Sequence, residues 1–199
     1  MSWPLMTWRS FLLLGCVASP AWGDDYQHDD GDDSSARPAV VNRVNVRAGA
    51  ASTDTTGRPT ICVDVRVVWK LGVEGCGTGQ GVIHDEAGIE MAHFRATYAL
   101  LERPMWKGTG VVRGGLGFAE MQVGVDHPGF QFGSPDADRG SVAGPEASLS
   151  AQMLLPLHRG LDFVMTATAG LAYFAGADEL IRTKSDVQPF VSLEAGIGW

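Results

Sequence analysis

The chain has 199 residues, of which 45% are hydrophobic and 26 are glycine, and its net charge is −8. This composition excludes a chain that is disordered throughout, and the acidic balance argues against nucleic acid as a partner. No stretch approaches the roughly 18 consecutive apolar residues of a membrane helix. Any crossing of a membrane must therefore use β-strands closed into a ring, since lipid tolerates no open sheet edge.

Residues 1–23 have the pattern of a signal peptide. Arg9 is their only charge, an apolar segment covers residues 11–18, and small residues precede a cleavage site near Gly23. The sequence thus predicts export. An alternative takes Leu-Leu-Gly-Cys at 13–16 as a lipoprotein box in which Cys16 is lipidated.

An acidic segment at residues 24–38 follows, and we expect it to be disordered and solvated. Its aspartates do not match the spacing of an EF-hand calcium loop. No two histidines of the chain fall within a four-residue interval, and no glycine-rich phosphate loop precedes a helix. We therefore expect no metal and no cofactor, and we assign residues 39–199 to a single β-domain.

Apolar and polar residues alternate with a period of two in seven segments, which is typical of strands with two different faces. They are 40–50, 62–74, 89–101, 110–125, 146–155, 161–174 and 187–199. In the fourth segment, 110–125, Glu120 lies on the same face as Arg113 only if a bulge lies near Ala119. The fold predicted is an antiparallel, up-and-down transmembrane β-barrel of about eight strands.

The second segment has the clearest alternation, and it is long enough to cross a bilayer. With the last residue of the chain, its apolar face is predicted to contact the membrane: Val63, Val65, Val67, Trp69, Leu71, Val73 and Trp199. Export would favour a disulfide between Cys62 and Cys76. One continuous strand, however, would hold the two cysteines more than ~40 Å apart, so a disulfide would require a hairpin near Lys70.

The connections alternate in length, as in membrane barrels with short periplasmic turns and long outer loops. Residues 102–109 and 156–160 are short connections, whereas 75–88, 126–144 and 175–186 are long and polar. Seven strands conflict with the even number that bacterial barrels use. The alternation of short and long loops would make 40–50 a descending strand, one that runs from the long loops toward the short turns. The missing strand would then be hidden in 75–88 or lost with a C-terminal hairpin.

Two segments resemble small bacterial outer-membrane barrels of the outer-membrane-protein-A type. PLHRGLDFVMTATAGLAYF at 156–174 looks like the tight turn and following strand of that family, and PFVSLEAGIGW at 189–199 looks like its terminal strand. The resemblance covers roughly residues 88–199. It implies location in the outer membrane, contact with outer-membrane lipid, and recognition of the strand ending at Trp199 by the outer-membrane assembly machinery.

The polar face of the strands is predicted to form a lumen network of mixed charge, which fills a barrel of about eight strands. Its members are Arg43, Arg47, Asp64, Arg66, Lys70, Glu74, His93, Arg95, Arg113, Glu120, Glu146, Asp162 and Glu194. Such a barrel has a structural role or an interaction role through its outer loops. A narrow gated channel lined by the same groups is an alternative.

Two further alternatives use the same alternation. A secreted, lipocalin-like barrel would turn Val63 to Val73 and Phe163 to Tyr173 inward around a hydrophobic ligand. A lipid A-modifying enzyme, an acyltransferase or deacylase, would use loop groups, and the candidates are His84, Asp85, Glu86, Asp126 and His127. The His-x-Ser pair of the deacylases is absent after 189–199, so we predict no enzymatic activity.

Overall fold

The computed structural model describes residues 44–80, 83, 87–105, 107–123, 140–158, 160–181 and 185–199. Eight strands make up almost all of the regular structure. They are β1 (Val44–Ala51), β2 (Thr60–Val68), β3 (Leu71–Gly77), β4 (Ile89–Met105), β5 (Gly108–Val123), β6 (Ser141–His158), β7 (Leu161–Tyr173) and β8 (Val187–Gly198). A four-residue helix, α1 (Ala177–Leu180), lies between the last two strands.

The strands form one closed antiparallel sheet in sequence order, so the prediction of an all-β antiparallel fold is confirmed. Closure comes from pairing of β1 with β8, where the backbone groups of Val44 and Trp199 exchange two hydrogen bonds. The register shows the stagger of the ring. If the direct pairs are followed from Asn45 through each strand in turn, they arrive at Gln188 on β8. Asn45 itself, however, pairs with Gly198, further along the same strand. The strands are therefore tilted by roughly 40° to the axis.

The predicted strand 62–74 is wrong, because it is two strands. β2 and β3 form a hairpin whose turn is Trp69-Lys70, and Cys62 pairs with Cys76 through a disulfide. Their Cα atoms are 4.1 Å apart, which is the spacing of a directly opposed pair. This division supplies the eighth strand, so neither a hidden strand in 75–88 nor a lost C-terminal hairpin is needed.

At one end of the closed sheet, consecutive strands are separated by only two residues: 69–70, 106–107 and 159–160. We call this end, where Val44 meets Trp199, the turn side. At the opposite end, the loop side, consecutive strands are separated by longer stretches of sequence: 52–59, 78–88, 124–140 and 174–186. β1 consequently runs from the turn side to the loop side, so the prediction that it descends is wrong. None of the helices among the described residues is long and apolar enough to cross a membrane.

The interior contains two apolar clusters. The loop-side cluster is formed near the loop-side ends of the strands and includes Met91, Met121, Val142, Phe174 and Phe190. The turn-side cluster is Ala99, Val111, Leu154 and Val164. Buried charged side chains occupy the level between them.

Candidate functional site

The inner face of the closed sheet carries most of the predicted lumen residues. Asp64, Glu74, His93, Arg95, Arg113, Glu146, Asp162, Glu194 and Arg47 are all nearly fully buried. They lie on all eight strands, two on β4 and one on each of the others, and the register brings several to one level. Direct pairing leads from Asn45 to Asp64, Glu74 and Arg95 on four successive strands.

Asp64 is the acceptor at the turn-side part of this network. Its Oδ2 accepts hydrogen bonds from Nη1 and Nη2 of Arg113, both at 2.6 Å, and from Nδ2 of Asn45 at 2.9 Å. Nη1 of Arg47 lies 3.7 Å from the same oxygen. All these side chains are buried, so the pairing compensates for the loss of hydration of the charges.

Glu74 binds the next two arginines of the network. Its Oε2 accepts a hydrogen bond from Arg47 at 2.5 Å, and its Oε1 accepts one from Nε of Arg95 at 2.6 Å. Arg47 also lies 3.5 Å from Glu194 through its Nε. Nη2 of Arg95 reaches the Sγ of Cys76 at 3.7 Å, which places the disulfide beside the charged level.

His93 and Glu146 form the loop-side end of the network. Nδ1 of His93 lies 2.6 Å from Oε2 of Glu146, and the imidazole ring packs on Phe190 with centroids 4.4 Å apart. Although a histidine beside a carboxylate is a general-base arrangement, both side chains are enclosed by the sheet and the loop-side cluster. Only 3% of His93 and 4% of Glu146 is exposed, so the pair lies inside the closed sheet.

Two of the predicted lumen residues lie at the turn-side boundary. Arg66 donates a hydrogen bond to Glu102 at 3.1 Å, and both side chains are partly exposed. Lys70 is in the β2–β3 turn, where its Nζ lies 5.1 Å from the ring of Trp69. The placement of Lys70 in the lumen network is therefore wrong, since the turn takes it out of the strand.

Glu120 is also misplaced by the sequence prediction. β5 pairs with β6 in one register from Thr109 to Gln122, so no bulge lies near Ala119. Met121 points inward to the loop-side cluster and Glu120 points outward. The prediction assumed that charged residues face inward, but the interior is apolar at this height.

Glu90 and Asp54 hold two loop-side segments against β4, whose end extends beyond its pairing with β3. The carboxylate of Glu90 accepts hydrogen bonds from the N–H groups of Thr78 at 2.5 Å and Gln80 at 3.0 Å. Asp54 accepts one from the N–H of Met91 at 3.1 Å and one from the hydroxyl of Thr60. Burial raises the pKa of Asp54, and these two hydrogen bonds oppose the rise.

The outer face is apolar over most of its height. On β7 its outward positions are Leu161, Phe163, Met165, Ala167, Ala169, Leu171 and Tyr173, and none is polar or charged. The predicted membrane-facing residues of β2 and β3 share this face, and Trp199 is half exposed beside β1. Trp69 belongs to the turn rather than to a strand, and its ring lies edge-on to Tyr98 at 6.5 Å.

This sidedness does not fit the lipocalin-like alternative, which requires Val63 to Val73 and Phe163 to Tyr173 inside. Leu193 on β8 is 64% exposed, whereas its neighbours Ser192 and Glu194 are 5% exposed. A cavity of about 10 Å³ beside Gln152 has room for about one water.

Several predicted residues lie outside the described part of the chain. They are Arg43, the enzymatic candidates His84, Asp85, Glu86, Asp126 and His127, the signal peptide and the acidic segment. Among the residues that the structure does describe, no group of three or more His, Cys, Asp or Glu side chains is placed to hold a metal ion.

Three polar contributors, Asn45, Glu90 and Asp54, are absent from the predicted network. Asn45 was on the inward face of its segment and could have been found from its alternation with Val44 and Val46. Glu90 and Asp54 had no such signal, because each accepts hydrogen bonds from backbone N–H groups at other points along the chain. Comparison with models of protein families, with curated proteins and with solved structures finds no match.

Proposed function

We propose that the chain is an outer-membrane β-barrel with an interior filled by side chains, and that its role is structural or interactive through the loop-side connections. The observation that carries this proposal is the exposed apolar outer face. On β7 and β8 eight large outward side chains are each more than 40% exposed: Leu161, Met165, Leu171, Tyr173, Val187, Val191, Leu193 and Ile197. Soluble monomers rarely expose contiguous apolar patches of this extent.

The dimensions of this face fit a bilayer. Its apolar positions on β7 run from Leu161 to Tyr173, which is about 40 Å along the strand. With the tilt of roughly 40°, the apolar height is ~30 Å, close to that of a hydrocarbon core. A closed ring with every strand paired is the form of sheet that lipid tolerates.

The interior supports a barrier rather than an open pore. Arginines 47, 95 and 113 are paired with carboxylates across the centre, and apolar clusters cover both ends of this level. In a ring of eight strands, side chains suffice to fill the space. The long connections 78–88, 124–140 and 174–186 then carry the interactions at the surface.

Outward residues of β7 offer a sharp test of the membrane assignment. Single cysteines at outward Ala167 and Ala169 and, as a water-exposed control, at Arg58 between β1 and β2 would be labelled with a fluorophore in protein folded into vesicles, keeping the Cys62–Cys76 disulfide intact. A lipid-bound nitroxide should quench the outward labels at least severalfold more than the label at position 58. Stronger quenching of the outward labels by aqueous iodide than by the nitroxide would reject the proposal.

A further inference from the structure

Both sulfurs of the disulfide lie on the inner face of the closed sheet. Cys62 and Cys76 are 0% and 5% exposed. Cys62 pairs with Arg47 on β1, and Cys76 pairs with His93 on β4, so the four residues form one inward row on adjacent strands. Arg47 and His93 are buried as well. The sheet therefore separates the disulfide from the outer face, and buried side chains flank it along the row.

The interior also covers the disulfide toward both ends of the sheet. On the turn side, the next inward residues of the hairpin are Asp64 and Glu74, which are paired with buried arginines. On the loop side, the next is the buried Thr60, and the loop-side cluster lies beyond it. Thiol–disulfide exchange requires a second sulfur to reach the one it attacks. The described part of the chain leaves no opening through which another protein could bring a sulfur to this pair.

The hairpin of β2 and β3 brings the two cysteines together without the rest of the sheet. They are 14 residues apart in sequence and directly opposed across the hairpin. Closure instead pairs β1 with β8, which come from the two ends of the β-domain. Hairpins form in about 1–10 μs, whereas sheets dominated by non-local pairing form in about a millisecond to seconds. The cysteines are therefore opposed and open to solvent before the sheet closes around them.

We propose that the chain is a substrate of a thiol–disulfide oxidoreductase, which forms the Cys62–Cys76 bond on the open β2–β3 hairpin before β1 pairs with β8. Uncatalysed disulfide rearrangement takes minutes to hours, so without a catalyst closure would trap both cysteines as thiols. The inference rests on the proposed function only through export, since an exported chain meets an oxidising compartment.

The exchange takes two steps at the hairpin. The thiolate of one cysteine attacks a sulfur of the Cys-x-x-Cys disulfide of the enzyme, which forms a mixed disulfide and releases the second enzyme sulfur as a thiolate. The other cysteine then attacks the hairpin sulfur of the mixed disulfide. This forms the Cys62–Cys76 bond and leaves the enzyme as a dithiol. The hairpin loses two electrons and two protons, and the enzyme gains them.

The test changes the order in which folding and oxidation occur. The full chain carries Cys16→Ser, so that Cys62 and Cys76 are its only thiols. An oxidised oxidoreductase is added to the reduced chain either before dilution from urea into vesicles or after folding is complete. Free thiols are then counted by mass after unfolding and alkylation. Late addition should form at least tenfold less disulfide in the same time than early addition. Equal oxidation in the two orders would overturn the inference.

Two neighbouring substitutions on β8 separate closure from other effects. A Cβ at Gly196 would clash with the backbone oxygen of Val46 on β1, so Gly196→Val should prevent closure and leave the β2–β3 hairpin unchanged. Its cysteines should be oxidised equally in both orders of addition. Ala195→Val is the matched control, because Ala195 points outward opposite Ala48, and it should behave like the parent chain. A Gly196→Val chain that stays open to protease yet resists late oxidation would overturn the inference.

The reverse reaction needs no folded protein in the reduced form. A dithiol oxidoreductase should reduce the disulfide of the folded wild type at least tenfold more slowly than that of the chain kept unfolded in urea, and equal rates would overturn the inference. Neither measurement depends on what covers the outer face. A chain that folds in buffer but not in vesicles contradicts the membrane assignment, and the same two orders of addition, made in buffer, then test the disulfide inference.

Discussion

Cys62 and Cys76 stand directly opposite each other on β2 and β3, and their disulfide closes the hairpin on the inner face of the sheet. Both residues are buried, and the Sγ of Cys76 is in contact with Arg95. The bond therefore fixes the register that places Asp64 opposite Glu74 in the charged interior.

Removal of this disulfide should destabilise the fold without changing it. For a loop of 14 residues, the chain-entropy estimate is about 3 kcal/mol. Cys62→Ser with Cys76→Ser should therefore lower the free energy of unfolding, measured by urea titration in detergent, by roughly 2–3 kcal/mol. Peptide mapping without reductant should recover the two cysteines linked. Free thiols at both positions in the folded wild type would contradict the structure.

Asp64 should be among the least replaceable residues of the interior. Asp64→Asn leaves the guanidinium groups of Arg113 and Arg47 buried with one carboxylate fewer, a change that typically destabilises by about 3–5 kcal/mol. Glu102→Gln is the control, because its pair with Arg66 is partly exposed and such pairs contribute at most about 1 kcal/mol. Equal losses in urea titrations of the two variants would argue against the buried network.

Substitution on the outer face should act through the membrane. Leu193→Arg puts a charge near the middle of the apolar height, at a cost of roughly 2–4 kcal/mol if lipid surrounds it. Leu193→Met keeps the position apolar and should be nearly neutral. The measurement is the free energy of folding into vesicles. If the arginine variant folds there as well as the methionine variant, lipid does not cover this face.

Asp54 should make stability depend on pH. Its pKa is raised in the folded state by burial, so the folded chain binds this proton more tightly than the unfolded chain. The Asp54 contribution to the free energy of unfolding therefore falls as pH rises from the ordinary value of 3.8 through the raised pKa.

Asp54→Asn removes this titration and retains an acceptor for Met91 and a polar group for Thr60. The stability of the variant relative to the wild type should therefore increase between pH 4 and pH 7. Urea titrations of both proteins across this range measure it. A relative stability that decreases with pH would show that the pKa of Asp54 is lowered rather than raised.

The alternation in the sequence predicted most strands and faces but concealed the hairpin of β2 and β3. A two-residue turn pairs Val68 with Leu71, which by itself breaks the alternation of odd and even positions. A bulge between Arg66 and Val68 restores it. The turn also lacks the Gly or Asn that usually adopts a positive φ and marks a turn in the sequence. Trp69 adopts the positive φ of 45° instead.

The loop-side interior was unpredictable for a different reason. Alternation separates two faces but does not say which face is inside, and the charged residues were assumed to be inside at every height. That rule holds for Asp64 and Arg113 at the centre. It fails where Met121 points to the loop-side cluster and Glu120 points outward, because long-range packing of Phe174 and Phe190 makes that end apolar.

The most direct test of the central claim is a heat-modifiability gel on membrane fractions from cells that produce the full chain. A closed membrane barrel resists dodecyl sulfate until it is boiled, so we predict that the protein is found in the outer-membrane fraction and migrates differently before and after boiling. Recovery in the soluble periplasmic fraction, with the same mobility in both lanes, would contradict the account.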